Sequence, residues 1–182
     1  MQSLCVTAVR VLTTTEASDD LLTAVRRLLV RAFEGDFSDE DWEHTIGGWH
    51  VLVADGDVVV SHAAVVDRIL EVAGASVHTG YVEGVATLPG RQREGLGSLV
   101  MTEVTRLLHS EFEMGALSTG RHSFYARFGW ERWQGPTFVR HGAETVRTED
   151  EDDGLMVLRF GPSTEVDLAA PISCEARRGD DW

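Results

Sequence analysis

The stretch GYVEGVATLPGRQREGLGS, residues 80–98, carries the strongest structural signal in this chain. Its first part belongs to a strand predicted over Val77–Leu88, and Pro89-Gly90 ends that strand. A helix is predicted from about Gly95, because apolar residues then recur at three-and-four spacing: Leu96, Leu99, Val100, Val104, Leu107 and Leu108. The stretch therefore predicts a strand, a basic glycine-containing loop and an amphipathic helix that packs on a sheet.

The loop within this stretch has the features of a diphosphate-binding site. Gly95 and Gly97 let the backbone approach a ligand closely, and the first N–H groups of the following helix have no acceptor within the helix. Arg91 and Arg93 add positive charge beside those amides, in a chain whose formal net charge is −14. An ordinary helix start with surface arginines is the alternative interpretation.

Two other glycine-rich phosphate sites do not fit the loop. A dinucleotide-binding fold needs the spacing G-x-G-x-x-G and an acidic residue about 20 positions later, and that spacing is absent. A phosphate loop of the nucleotide hydrolases needs a lysine after its last glycine, whereas Ser98 follows Gly97. Nucleotide hydrolysis is therefore not expected.

The flanking sequence predicts strands and helices in alternation. Upstream, the patterns predict a strand, a helix capped by a serine, a second helix and a hairpin with an Asp-Gly turn: Val6–Leu12, a helix after Ser18, a helix after Ser38 that ends at Gly47-Gly48, and Trp49–Ala54 with Val58–Val66. Downstream, they predict a short strand, a helix and two further strands, with an acidic loop between: Ala116–Ser118, His122–Phe128, near Trp130, Glu149–Asp153 and Leu155–Phe160. This order predicts one α/β (α+β) domain over residues 1–182 with a mixed sheet.

Composition and charge narrow the classes of function. With 182 residues, 43% hydrophobic and 25% charged, the chain is long enough and apolar enough for one globular core. No membrane-spanning run or secretory leader is visible, so we expect a cytoplasmic protein without a membrane partner. The excess of 30 acidic over 16 basic residues disfavours nucleic acid and would attract a cationic partner, although it also serves solubility.

The cysteines and histidines predict no metal site. Cys5 and Cys174 are far apart and have no further ligand at metal-binding spacing, so both are expected to be buried thiols. The histidines follow no metal-binding helix pattern and are expected to be structural or exposed: His44, His50, His62 and His78.

The pattern Gln92-x-x-Gly95-x-Gly97, between a strand and an amphipathic helix, resembles the acetyl-CoA signature of the GCN5-related N-acetyltransferase (GNAT) family. The resemblance implies a central, mixed and largely antiparallel sheet with splayed middle strands, flanked by helices. It also implies that acetyl-CoA pairs with the end of the strand, where the Val85 amide serves as an oxyanion donor. The cofactor contacts that it implies are Val85, Ala86, Thr87, Gln92, Arg93, Glu94, Gly95, Leu96, Gly97 and Ser98.

Two side chains are candidates for proton transfer. The run SFYARFGW, residues 123–130, resembles a second GNAT element and makes Tyr125 the candidate general acid for the departing thiolate, the alternative being a core tyrosine. Attack on the thioester needs a neutral amine, and Glu83 is the candidate base, acting directly or through water. A strand residue that faces solvent is the alternative for Glu83.

Several stretches resemble the aminoglycoside 2′-N-acetyltransferases within that family, among them DWEHT at residues 41–45 and RGDDW at residues 178–182. The resemblance implies transfer of acetyl from acetyl-CoA to the 2′-amino group of an aminoglycoside, with antibiotic resistance as the consequence. Family habit adds a possible homodimer. The substrate contacts that it implies, including the terminal carboxylate, are Asp36, Asp41, Glu83, Gly84, Ser118, Asp153, Asp180 and Trp182.

Carboxylates in these positions suit a polycationic substrate, since each attracts an ammonium group by on the order of 1 kcal/mol in water-like surroundings. A solvated acidic surface is the alternative for these residues. Two other functions stay open at this point: acetylation of another small amine or a protein N-terminus, and a non-catalytic CoA-binding module.

Overall fold

The computed structural model describes residues 8–182, and these divide into two compact units. The first comprises the chain up to Val66 together with Glu83–Thr105, and the second comprises Asp67–Val82 and Arg106–Trp182. Three elements contribute residues to both units: β3 (Val58–Val72), β4 (Ala75–Thr87) and α3 (Leu96–Glu111). The single domain over residues 1–182 stays a prediction.

In the first unit, two helices pack on an antiparallel meander. Its remaining elements are β1 (Val9–Thr13), α1 (Asp19–Ala32), α2 (Asp39–His44) and β2 (Trp49–Asp55). β2 pairs antiparallel with both β1 and β3, so Val51 lies opposite Val11 on one side and Ala63 on the other. One core cluster of this unit is formed by Leu12, Val25, Leu28, Leu29, Leu52, Val59 and Ala86.

Both helices of this unit begin where the sequence predicts. The Ser18 side chain accepts a hydrogen bond from the Leu21 N–H at 3.3 Å, which satisfies one of the free amides of α1. Ser38 and Asp41 form a capping box at the start of α2. α2 ends at His44, earlier than the predicted stop at Gly47-Gly48.

The second unit contains the remaining strands and one short helix. Its further elements are β5 (Met114–Ser118), α4 (His122–Ala126), β6 (Glu131–Arg132), β7 (Thr137–His141), β8 (Glu144–Arg147), β9 (Leu155–Arg159) and β10 (Ile172–Glu175). Its strand order is β6-β9-β5-β4-β3-β10-β7-β8. The pairs β4 with β5 and β7 with β10 are parallel, whereas β5 with β9, β6 with β9, β3 with β10 and β7 with β8 are antiparallel. The predicted mixed, largely antiparallel sheet with helices is confirmed.

The pairing of β5 with β4 is short. Thr79–Tyr81 lie opposite Met114–Ala116, and this register stops two residues before β5 ends. Gly80 in this segment lies against α3, since a Cβ there would overlap the Leu108 side chain. Close packing of the helix on the sheet therefore depends on Gly80.

Further details differ from the sequence-based predictions. β3 extends to Val72 rather than ending at Val66, because its later part pairs with β10, which the sequence patterns did not predict. Leu99 is 44% exposed, so it does not belong to the buried stripe of α3, and Met101 is buried instead. The acidic segment forms a 3₁₀ turn over Glu149–Glu151 rather than an open loop.

Cys174 is buried, as predicted, whereas Cys5 and the first residues of the predicted Val6–Leu12 strand lie outside the described residues. Within residues 8–182, no helix combines the length and the apolar character that crossing a bilayer requires.

Candidate active site

The last part of β4 contains a residue with left-handed backbone, Gly84, next to the predicted base. Gly84 has a φ of +54°, a left-handed conformation that glycine adopts without strain and that is typical of a bulge in a strand. A Cβ at this position would lie 2.9 Å from Cγ2 of Thr45, so the available space also excludes a side chain. We call this left-handed position in the strand, at Gly84, the bulge of β4.

Glu83, the predicted base, precedes this bulge and is half-buried. Its Oε1 atom is shielded from solvent, and a less polar environment strengthens the electrostatic interactions of a carboxylate. The alternative, a strand residue that faces solvent, would require a fully solvated side chain. Glu83 is not fully solvated. Its role as a base stays a prediction.

The end of α2 lies against the bulge through Thr45, whose hydroxyl donates to the Trp42 carbonyl at 2.8 Å. Asp41, a predicted substrate contact, belongs to the same helix. Its Oδ2 atom accepts from the Ser38 N–H at 2.7 Å and from the Ser38 hydroxyl at 2.9 Å. The capping box thus fixes the carboxylate, and the role of Asp41 as a substrate contact stays a prediction.

Beyond the bulge, Ser61 of β3 holds the end of β4. Its hydroxyl lies 3.2 Å from the Ala86 carbonyl and 2.9 Å from the Thr87 hydroxyl. Ala86 is buried, whereas Val85 and Thr87, the residues predicted to pair with acetyl-CoA, are half-buried. Val85 and Thr87, the two residues predicted to pair with acetyl-CoA, therefore lie at alternate positions of the strand. The hydrogen bonds of Ser61 hold this end of the strand in place.

The loop between β4 and α3 contains two residues with left-handed backbone. Pro89–Arg91 form a 3₁₀ turn, after which Arg93 has a φ of +69° and Gly95 a φ of +83°. No atom lies within 4 Å of a Cβ placed on Gly95, so the conformation rather than crowding requires glycine. The space in front of Gly95 is open to a ligand.

The two arginines of the loop have different surroundings. The Arg91 guanidinium contacts Asp55 at 2.9 Å and Glu94 at 2.7 Å, and the hydrogen bonds that it donates to Glu94 and Asp55 raise the pKa of Arg91. The charge of Arg91 is therefore compensated, and its side chain links the loop to the turn between β2 and β3. Arg93 and Gln92 are exposed, and Arg93 forms no ion pair within residues 8–182. Of the two predicted phosphate contacts, Arg93 is the one with an available charge.

The residues at the start of α3 fit a diphosphate group. The Leu99 N–H is the first in this helix to donate a hydrogen bond to the carbonyl four residues earlier, that of Gly95, at 3.0 Å. The N–H groups of Leu96, Gly97 and Ser98 consequently have no helical acceptor and project from the end of the helix. Backbone amides at the start of a helix, beside the open space at Gly95, are suited to bind an anion.

In the second unit, Tyr125 lies in an aromatic cluster. It is 7% exposed, and its ring packs edge-on against Phe124 at 5.0 Å and Trp130 at 6.2 Å between centroids. Burial raises the pKa of Tyr125 to about 12, and the positive charge of Arg121 opposes this shift. The phenol therefore keeps its proton at neutral pH, which the predicted general acid requires, although the packing alone also suits a core tyrosine.

Glu151 forms an acidic cluster with predicted substrate residues of the same unit. Burial and the negative charge of Asp180 raise the pKa of Glu151, and a hydrogen bond from the Ser118 hydroxyl opposes the rise. The Trp182 N–H lies 3.4 Å from the Asp180 carboxylate, and Trp182 is buried. The structure thus brings Ser118, Asp180 and Trp182 together and adds Glu151, which the sequence patterns did not single out.

Two predicted substrate residues are exposed. The Asp153 side chain is 98% exposed and contacts Arg132 at 3.1 Å, and Asp36 is exposed after the end of α1. The neighbouring Asp152 is a structural residue, because hydrogen bonds from Arg147 and Thr137 lower its pKa to about 2. The roles of Asp36 and Asp153 in a substrate site stay predictions.

Residues 13–133 match the family described as the acetyltransferase (GNAT) domain. This chain belongs to the GNAT family of acetyltransferases. The GNAT chain is also 40% identical over 178 residues to an aminoglycoside 2′-N-acetyltransferase of Mycolicibacterium fortuitum, with 95% of this chain and 91% of that protein covered.

Solved GNAT structures share the fold at low sequence identity. A GNAT N-acetyltransferase of Escherichia coli in complex with CoA gives a TM-score of 0.65 at 16% identity, covering 92% of this chain and 89% of that chain. A GNAT acetyltransferase of Brucella melitensis in complex with acetyl-CoA gives 0.60 at 16% identity, covering 91% of this chain and 94% of that chain.

Proposed function

We propose that this GNAT protein transfers the acetyl group of acetyl-CoA to the 2′-amino group of aminoglycosides. The observation that carries the proposal is its 40% identity, over 95% of the chain, to a protein named for that activity. Because the family domain covers residues 13–133, a match of that length necessarily includes sequence outside the domain.

The start of α3 and the end of β4 hold acetyl-CoA in this proposal. The amides of Leu96–Ser98 and the side chain of Arg93 bind its diphosphate. The Val85 N–H donates a hydrogen bond to the thioester carbonyl, where negative charge develops during the reaction. Acetyl-CoA itself supplies an acetyl thioester that a neutral amine attacks.

Two side chains assist the reaction, one as a base and one as a hydrogen-bond donor. Glu83 takes a proton from the substrate ammonium group and so provides the neutral amine. A carbon–nitrogen bond forms while the carbon–sulfur bond breaks, and Tyr125 donates a hydrogen bond to the departing thiolate. The proton that the new amide nitrogen loses passes to the thiolate or to solvent.

Carboxylates hold the polycationic substrate. The carboxylates that we assign to this role are Asp36, Asp41, Asp153, Asp180 and the terminal carboxylate of Trp182. Glu151 joins this set, because its cluster with Asp180 concentrates negative charge beside Ser118. Each carboxylate that faces an ammonium group adds on the order of 1 kcal/mol of attraction in water-like surroundings.

The biological part of the proposal is that the protein acts in the cytoplasm as a homodimer and confers aminoglycoside resistance. Light scattering on the purified protein measures its oligomeric state. Expression in a susceptible host should raise the inhibitory concentration of aminoglycosides that carry a 2′-amino group.

A thiol-release assay with a panel of amines tests the reaction. The panel pairs an aminoglycoside that carries a 2′-amino group with its counterpart that carries a 2′-hydroxyl, and adds a polyamine and a peptide with a free N-terminus. We expect turnover with the 2′-amino compound alone. Turnover of both aminoglycosides would overturn the position of transfer, and turnover of only the polyamine or peptide would overturn the substrate. CoA binding without any turnover would identify a non-catalytic module.

A further inference from the structure

Two buried histidines of the first unit form a hydrogen-bonded pair. His50 on β2 and His62 on β3 are both 0% exposed, and His50 Nδ1 lies 3.0 Å from His62 Nε2. The Thr14 hydroxyl lies 2.9 Å from His50 Nε2, and His62 Nδ1 lies 2.9 Å from the Gly84 carbonyl oxygen. We call Thr14, His50 and His62 the histidine relay, and it ends at the bulge of β4.

The groups at the two ends of the relay determine the direction of its hydrogen bonds, from donor to acceptor. The Gly84 carbonyl only accepts, so His62 Nδ1 carries a hydrogen. A neutral His62 then accepts at Nε2 from His50 Nδ1–H, and a neutral His50 accepts at Nε2 from the Thr14 hydroxyl. At the far end the Gly47 N–H donates to the Thr14 oxygen at 3.0 Å. One arrangement of hydrogens satisfies every member.

Both imidazoles are neutral in the folded protein. Burial lowers the pKa of His50. Burial lowers the pKa of His62 to about 3, with His50 adding to the shift and the bond to the Gly84 carbonyl opposing it. The Thr14 hydroxyl also lies 3.3 Å from the Gly48 carbonyl, a longer contact than the one it makes with His50. The direction derived from the two ends therefore holds at neutral pH.

The hydrogen bond from His62 sets the orientation of one peptide plane. The carbonyl of Gly84 and the N–H of Val85 belong to the same peptide group, and the chain from residue 8 onward contains no cis peptide bond. In a planar trans peptide these two groups point in opposite directions. With its carbonyl held by His62, the peptide directs the Val85 N–H away from the relay.

We propose that the histidine relay is a positioning device for catalysis, in which His62 holds the Gly84–Val85 peptide so that the Val85 N–H faces the thioester carbonyl. This inference rests on the proposed acetyl transfer and adds to it residues that touch no substrate. Gly84 at φ +54° has access to several peptide orientations that other residues lack. A fully satisfied polar network selects one of them.

A matched set of substitutions at His62 tests the relay. The amide nitrogen of Asn takes nearly the place of Nδ1, so His62→Asn keeps a donor to Gly84, whereas His62→Leu removes it and His62→Gln displaces it by one carbon. His141→Leu, at an exposed histidine of β7, is the control. We expect kcat to fall about 10- to 100-fold in His62→Leu, below the 10²–10³-fold loss of a whole oxyanion donor, while KM for acetyl-CoA stays within about threefold.

His62→Asn should recover most of the lost kcat, and His141→Leu should behave like the unmodified protein. Equal kcat in the Asn and Leu variants, or a loss confined to KM, would overturn the relay as a positioning device. If His62→Leu does not fold, the Asn and Gln variants carry the same test, since Gln should have the lower kcat.

Nuclear magnetic resonance gives a readout that does not need an amine substrate. Nitrogen-15 shifts should show the His62 ring protonated at Nδ1 and not at Nε2. Acetyl-CoA should shift the Val85 amide resonance in the unmodified protein and in His62→Asn, but not in His62→Leu or, if that variant does not fold, in His62→Gln. The opposite tautomer, or equal Val85 shifts in the compared variants, would overturn the inference. Absence of aminoglycoside turnover by the unmodified protein, with these resonances as expected, would overturn the proposed function alone.

Discussion

At the scale of single residues, Tyr125 illustrates how burial limits what a side chain does. Its pKa of about 12 is roughly 3.5 units above that of an ordinary thiol, whose pKa is about 8.5. Complete proton transfer to a thiolate would thus be unfavourable by on the order of 5 kcal/mol. A strong hydrogen bond from the phenol to the sulfur is the role that this pKa favours.

We therefore predict that Tyr125→Phe lowers kcat by about 10²-fold, at the low end of what a general acid contributes. The aromatic contacts are retained, so KM for acetyl-CoA and the free energy of unfolding should change little. Steady-state kinetics and urea unfolding measure these effects. An unchanged kcat would show that Tyr125 is a core residue without a part in catalysis.

Glu151 is the residue that the structure adds to the proposed substrate site. Its partial burial beside Asp180 raises its pKa, and a substrate ammonium group would relieve the repulsion between the two carboxylates. Glu151→Gln should raise KM for the aminoglycoside about tenfold, the equivalent of roughly 1.4 kcal/mol, with little change in kcat.

The matched control for this substitution is Glu144→Gln on the exposed strand β8. It removes the same charge from the protein at a position outside the acidic cluster. Equal effects of the two substitutions on KM would mean that only net charge matters, and Glu151 would then have no specific part in the site.

At the scale of elements, local signals and long-range pairing explain what the sequence could predict. α1 and α2 begin at serines whose side chains accept backbone hydrogen bonds, and these caps are readable within a few residues. β10 has no such signal. Its Ile172 lies opposite both Val72 and Thr137, and pairing across those separations leaves no local pattern.

The same distinction holds for the candidate site. The loop around Gly95 was predictable, because its glycines and the following helix are contiguous in sequence. The histidine relay was not, since His50 and His62 meet through the register of β2 and β3, in which His62 lies opposite Leu52. In the sequence the relay is visible only as isolated polar residues within two apolar strands. Such residues do not show which of them form a pair.

The bulge of β4 allows a prediction at this scale. Gly84→Ala forces a left-handed backbone on alanine, which costs about 1–2 kcal/mol, and its methyl group meets Thr45 Cγ2 at 2.9 Å. We expect a loss of about 1–3 kcal/mol in the free energy of unfolding and a larger relative loss in kcat, because the Val85 N–H is displaced. Urea unfolding and steady-state kinetics measure the two effects.

Gly142→Ala is the control, since Gly142 has a φ of +64° with no atom within 4 Å of an added Cβ. It should lose stability from backbone strain while keeping kcat. A proportional loss of kcat in both variants would show that Gly84 acts through stability alone.

At the scale of the whole molecule, net charge and buried histidines have opposite effects on the free energy of unfolding as the pH falls. The chain has a formal net charge of −14, and protonation of its carboxylates relieves the self-repulsion that such a charge brings. His62 acts the other way. Its pKa is about 3 in the folded protein and about 6.5 in an unfolded chain.

Between those two values the unfolded state binds a proton that the folded state excludes, so the contribution of His62 is full above about pH 6.5 and is lost progressively towards pH 3. From about pH 7.5 to 4.5 we predict that the unmodified protein loses about 2–3 kcal/mol of unfolding free energy relative to His62→Asn, which has no titrating group there. Urea unfolding of both proteins at the two pH values measures the difference. Because the carboxylates are common to both, their effect cancels, and parallel pH dependence would show that the folded protein accommodates a protonated His62.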